Sequence, residues 1–182
     1  MRDRVPRDRY RHCLSVARSA EKLAGRHGAS ALKARVAGVL HDVARAWSNA
    51  DLLGYAVAHG MRVSEPERAH PVLLHAQIGA DIAQHEFGIE DTEILGAIKR
   101  HTVAVPGMSR LEMIVYEADT FEPGRTFPGR AMLEAAAQNS LDVGLLACVA
   151  SSLDHLKSRR IPPSPETLAL YDELVNMYGR TS

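Results

Sequence analysis

His41 and Asp42 stand side by side inside an apolar run, "VAGVLHDVAR" at 36–45. Ala34, Ala37, Gly38 and His41 recur at spacings of three and four, so the imidazole continues a buried helical stripe. Burying such groups without partners costs about 1–3 kcal/mol each, so the pair must have something to bind. Four more donors lie on apolar helix faces. His12 sits one turn before Val16 on a stripe that reaches Leu23, and His75 lies between Val72 and Gly79. His101 follows Ile94, Ala97 and Ile98, and Asp119 follows Leu111 and Val115. Any one of these histidines reads equally well as a hydrogen-bonded core residue. Together the six form a donor set suited to iron, manganese, cobalt, nickel or zinc.

A metal held this way acidifies a coordinated water and offsets charge developing on phosphoryl oxygens. Asp42 is placed to orient that water as well as to bind. Cleaving a polyphosphate also calls for cations around it, and guanidinium groups suit phosphate. Arg9 lies one turn before His12, Arg45 one turn after His41, Arg100 just before His101, and Arg125 six residues after Asp119. For each the alternative is a solvated surface charge, and Arg100 fits that alternative best. His27, His59, His70, His85 and His155 fall near helix ends or on polar faces and read as structural or exposed.

Other catalytic patterns are missing. The sequence has no GxGxxG, Walker loop, GxSxG or HExxH, and "HEFGI" at 85–89 lacks the second histidine. Cys13 and Cys148 are two lone thiols, which excludes a thiolate zinc site or a disulfide framework; Cys13 reads as a core filler.

The elements that must position these groups read as helices throughout. Apolar periodicity and end signals place helices at 8–27, 31–44, 50–59, 71–86, 91–101, 108–121, 128–139, 140–158 and 165–178. Ser48 or Asn49 caps the third, Gly28 and Gly60 close the first and third, and Pro71 opens the fourth. Residues 60–70 and 102–107 read as loops, and "RRIPPSP" breaks the last pair of helices. No period-two alternation longer than four residues occurs, so the expected class is all-α. One domain is expected over 1–182, with a motif-bearing core at about 9–125 and C-terminal helices at about 128–178.

The 182 residues carry 22 Lys plus Arg against 22 Asp plus Glu. That balance argues against a nucleic-acid partner bound through excess basic charge. No run approaches the ~18 apolar residues of a membrane span, and "MRDRVPRDRYRH" is charged throughout, so no membrane partner and a cytoplasmic location are expected.

With these residues in hand, the sequence resembles the HD-domain metal-dependent phosphohydrolases, whose signature is His, then His-Asp, then a distant Asp. More closely it is similar to the YqeK family of symmetrical diadenosine tetraphosphate hydrolases. The blocks that carry the resemblance are "RYRHCLSVARSAEKLA" (9–24), "KARVAGVLHDVAR" (33–45), "LLHAQIGA" (73–80), "EILGAIKRHT" (93–102) and "MSRLEMIVYEADTFEPGR" (108–125). Three positions depart from the family pattern: Ala76 and Ala104 stand where glycine is usual, and Thr120 where a larger residue is common.

The resemblance implies an HD-domain helical bundle in which His12, His41, Asp42 and Asp119 ligate one metal, iron first among the candidates. It places His75 and His101 in the same pocket, holding a second metal or contacting phosphate, so that Asp42, His75 and His101 would carry the catalysis. Arg9, Arg45, Thr102 and Arg125 join the two histidines as expected substrate contacts. The substrate would be diadenosine tetraphosphate and the product ADP, with Arg45 and Arg125 gripping the ADP-like half, the 158–165 break closing over the base, and a homodimer as the expected assembly. Two alternatives stay open: phosphate removal from nucleoside mono-, di- or triphosphates, and a nucleotide-binding module without turnover.

Overall fold

The computed structural model describes residues 1–179, and all regular structure among them is helical. The helices are α1 (Arg7–Arg26), α2 (Ala31–Leu40), α3 (Asn49–Ala58), α4 (Glu65–Ala69), α5 (His75–His85), α6 (Thr92–Arg100), α7 (Arg110–Thr120), α8 (Arg130–Asn139), α9 (Leu141–Ser158) and α10 (Pro165–Tyr178). Most begin on a side chain that accepts a backbone N–H, the usual way to satisfy the unpaired amides of a first turn. Ser30, Ser48, Asp91, Ser109, Ser140 and Ser164 play this part. No helix of the described residues is long and apolar enough to cross a membrane.

Three boundaries differ from the sequence reading. The second helix stops at Leu40 rather than 44, because Val43, Arg45 and Trp47 donate to the carbonyls three residues back, a tighter winding than the α-helix. Pro71–Leu74 forms a separate 3-10 turn before α5, so the expected 71–86 helix is two pieces. The 60–70 loop contains α4, which rests on a reciprocal cap between Ser64 and Glu67 and on Pro66 in its first turn.

α1 packs on α2 and α7, and α6 packs on α2, α5 and α7. Gly38 lets α2 come close to α1, since a Cβ there would lie 2.7 Å from the Ala17 Cα. The buried apolar residues form two clusters. The larger includes Val16, Ala20, Leu23, Ala34, Ala37, Ile98 and Val115, and the smaller includes Val43, Ala44, Leu52, Leu74, Ile78 and Ile82. His41 and Asp42 lie at the seam, directly after Leu40 of the first cluster and before Val43 of the second.

α8, α9 and α10 complete the larger cluster through Leu133, Ala137, Leu145, Cys148, Leu170 and Leu174. Between α7 and α9 they enclose Glu117, which is wholly buried and has no hydrogen-bond partner for either carboxylate oxygen. Gly144 makes this fit possible: a Cβ there would strike the Glu117 carboxyl and lie 2.5 Å from the Ala137 Cα. Burial, reinforced by the charge of Asp142, pushes the Glu117 pKa well above the ordinary glutamate value, so the folded protein holds it protonated. In the unfolded chain the same group ionises near its usual pKa.

The folded state therefore binds the extra proton, and this group's contribution is full below the unfolded pKa and declines as pH rises above it. Glu117→Gln removes the decline. Urea unfolding of parent and variant at pH 5.5 and pH 8 should show the variant gaining on the parent toward alkaline pH, by up to about 1.4 kcal/mol per unit. Parallel pH profiles for the two proteins would contradict a neutral Glu117.

Candidate metal centre

The histidines and aspartates singled out in the sequence converge at one end of α1, α2, α5, α6 and α7. His41 is the residue that follows α2, His101 the one that follows α6, and His75 the first of α5. At these positions the local backbone offers a carbonyl to the ring. His41 Nδ1 lies 2.8 Å from the Gly38 carbonyl, His101 Nδ1 lies 2.7 Å from that of Ile98, and His75 Nδ1 meets that of Val72. A ring nitrogen facing a carbonyl must donate, which leaves Nε2 of each ring as the lone-pair atom turned inward.

Asp42 is the centre of the cluster. Its Oδ2 lies 3.7 Å from His12 Nε2 and 3.5 Å from His41 Nε2, while its Oδ1 lies 3.1 Å from His75 Nε2 and 3.5 Å from His101 Nε2. Asp119 Oδ1 adds contacts at 3.0 Å to His12 Nε2 and 3.9 Å to His41 Nε2. Two overlapping groups, His12–His41–Asp42 and Asp42–His75–His101, thus bring ligand atoms within 4.8 Å of one another. The Nε2 atoms of His12 and His41 are buried and, although close to the carboxylates, have no hydrogen-bond partner. Two orphaned imidazole nitrogens beside two carboxylates fit a divalent metal, since nothing else at the site satisfies them. The cluster can coordinate such an ion.

Burial alone would raise the Asp42 pKa, but His41, His101 and His75 around it reverse that and hold the carboxylate far below its usual range. Asp119 follows the same logic: burial pushes up, and His12, His41, Arg125 and His101 pull it well down. Both are ionised acceptors at any physiological pH. Burial lowers the His75 pKa despite Asp42, whereas at His101 the contacts with Asp42 and Asp119 outweigh burial and raise it.

A cleft of about 840 Å³ opens over the cluster. Of the expected substrate contacts, Arg9, Arg45, His75, His101, Thr102 and Arg125 all line it. Their charges are not equally available. Arg9 pairs with Asp42 at 2.8 Å and Arg125 with Asp119 at 2.7 Å, whereas among the described residues Arg45 has no acidic partner. Arg100 turns away to Glu112 at 3.2 Å, as a surface charge would.

The 159–164 segment does not reach the cleft. Its Arg160, Ile161, Pro162 and Pro163 line a separate, mostly apolar cavity with Leu153, Lys157 and Leu168. Ala104, one of the departures from the family pattern, is buried and its carbonyl accepts from the Thr167 hydroxyl at 2.9 Å, which ties the loop after His101 to α10. Cys13 is fully buried, and burial pushes its thiol pKa up to about 12, so it is inert packing.

Sequence reasoning did not single out Asp8, Arg11, Ser15, Glu122, Pro123 or Gly124, which also line the cleft. Glu122 is 5% exposed, and its Oε2 lies 3.5 Å from His12 Nδ1. A carboxylate beside Pro-Gly in a turn carries no periodic signal; its place three residues after Asp119 was the only hint.

Comparison with known proteins agrees with this geometry. The HD domain family model matches residues 9–124. The symmetrical bis(5'-nucleosyl)-tetraphosphatase of Bacillus subtilis (strain 168) is 32% identical over 97% of this chain and 94% of its own length. The Staphylococcus aureus (strain NCTC 8325 / PS 47) protein of the same name is 37% identical over 78% of this chain and 73% of its own. A crystal structure from Clostridium acetobutylicum, described as a predicted HD superfamily hydrolase involved in NAD metabolism, superposes with a TM-score of 0.91 at 31% identity, covering 97% of this chain and 93% of that one. With the His/His-Asp/Asp cluster in place and relatives matched along nearly the full length, the chain belongs to the HD-domain family and, within it, to the family of the symmetrical bis(5'-nucleosyl)-tetraphosphatases.

Proposed function

We propose that this HD-domain phosphohydrolase cleaves diadenosine tetraphosphate with one water into two molecules of ADP. The observation that carries the reading is the pair of buried, unpartnered Nε2 atoms of His12 and His41 facing two ionised carboxylates. It occurs in a chain aligned almost end to end with relatives named for that activity. Nε2 of His12 and His41 and the carboxylates of Asp42 and Asp119 would hold the metal, with iron the first candidate. When bound, such an ion supplies positive charge against phosphoryl oxygen and acidifies water.

The chain's own residues do the rest. Asp42, ionised and turned toward both halves of the cluster, orients the attacking water. His75 and His101 face the same space and, with a second proton on Nε2, donate to phosphoryl oxygens of the tetraphosphate. Arg45, with no acidic partner, takes up the charge of the departing ADP; Thr102 adds a hydroxyl at the same rim. Arg9 and Arg125 keep Asp42 and Asp119 in place and border the phosphate path.

A second reading has one observation behind it. Asp42 presents its Oδ1 to His75 and His101, whose Nε2 atoms are 3.1 Å apart, so these three residues would hold a second metal. Metal analysis separates the two. His75→Ala leaves the metal content unchanged and raises KM or lowers kcat if the histidines serve phosphate, and halves the stoichiometry if they serve a second ion.

His41→Ala and Asp42→Ala should each lose most of the metal retained by the parent through purification; unchanged elemental content in both removes them from the site. Chromatography of the products from diadenosine tetraphosphate should show ADP alone. Equal amounts of ATP and AMP would overturn the symmetrical reading, and phosphate release from mononucleotides alone would replace it with the simpler phosphohydrolase. Arg45→Ala should raise KM roughly tenfold, the worth of one charge-assisted phosphate contact, while metal content stays at the parent level.

A further inference from the structure

His41, His75 and His101 are each oriented by a backbone carbonyl three residues earlier, at a helix boundary; that of Val72 also accepts the backbone N–H of His75. His12 has no such help. It lies inside α1, whose carbonyls are taken by the helix's own amides. Its Nδ1 instead faces the Glu122 carboxylate at 3.5 Å. Glu122 is favoured as a carboxylate: the Ser15 hydroxyl, one turn after His12 on α1, the backbone N–H of Gly124 and His12 itself outweigh burial and lower its pKa. Gly124 also makes room for it, since a Cβ there would lie 2.8 Å from Oε2.

We propose that Glu122 is the positioning residue for His12, holding the proton on Nδ1 so that Nε2 is presented to the metal. The inference rests on His12 being a metal ligand. A carboxylate behind a ligating imidazole sets the tautomer, fixes the ring plane and raises the basicity of the ligating nitrogen. The turn that carries Glu122 does this for both carboxyl-side partners at once. The Glu122 N–H reaches back to the Asp119 carbonyl at 3.4 Å, the Arg125 N–H donates to the Glu122 carbonyl at 2.9 Å, and Arg125 then closes on the Asp119 side chain. The five residues 121–125 thus tie α1 to the end of α7 at the metal.

The test is titration of the metal-free protein with Zn²⁺ against a chromophoric chelator, with nitrogen-15 NMR of the histidine rings in the zinc-loaded form. Glu122→Ala should weaken zinc binding roughly 10–100-fold with the helical circular dichroism unchanged, and Glu122→Gln, which keeps an acceptor, should lose less. The zinc-loaded parent should show His12 bound through Nε2 with a protected Nδ1 proton. That proton should become fast-exchanging in Glu122→Ala while those of His41 and His101 persist.

Parent-like zinc affinity in Glu122→Ala, beside a clear loss in His12→Ala, overturns this inference and leaves the metal site standing. Unchanged affinity in His12→Ala overturns both. Zinc bound through Nδ1 of His12 in the parent overturns the inference without recourse to any variant.

Discussion

One buried negative charge organises this molecule. The Asp42 carboxylate is 4% exposed and would be intolerable at the seam of two apolar clusters without compensation. Four imidazoles and the Arg9 guanidinium answer it, two rings and the arginine on Oδ2 and two rings on Oδ1. Arg9 and His12 come from α1 and the other rings from the ends of α2 and α6 and the start of α5, so the requirement to surround this group dictates how α1, α5 and α6 sit against α2. The apolar clusters hold the helices together; Asp42 decides where their polar ends must meet.

Helix boundaries are the means by which the rings are aimed. His41, His75 and His101 each meet the carbonyl three residues earlier at a helix boundary. The early end of α2 at Leu40 belongs to the same economy. Tighter winding from 41 to 47 turns His41 and Asp42 toward the cleft and sends Val43 and Ala44 into the smaller cluster. His12 is the exception, inside a twenty-residue helix, and it is also the one ring whose outer nitrogen meets a carboxylate from a distant turn.

Much of this was legible in the sequence, and the limits have physical causes. The helix cap at Ser48 and the stripe Ala34–Ala37–Gly38–His41 are local signals that act within one turn, and the structure realises them. The six donors on apolar faces were visible because buried polar groups stand out against periodicity. The HD-type blocks then suggested which of them belong together. The end of α2 was not readable, since Val43 and Ala44 continue an apolar pattern that suits either winding. α4 was hidden in a polar stretch too short for periodicity. Glu122, and the pairing of Arg9 and Arg125 with aspartates rather than solvent, depend on which helices meet, and no spacing within one segment encodes that.

The docking of α1 on α7 has a consequence for how the protein is made. His12 emerges from the ribosome 107 residues before Asp119 (119 − 12). At elongation rates of roughly 5–20 residues per second, the imidazoles are exposed for seconds before their second carboxylate exists. Until α7 arrives, the imidazoles and Asp42 form only an open, partial donor set. The full donor set thus exists only in the folded cavity and not in the nascent chain.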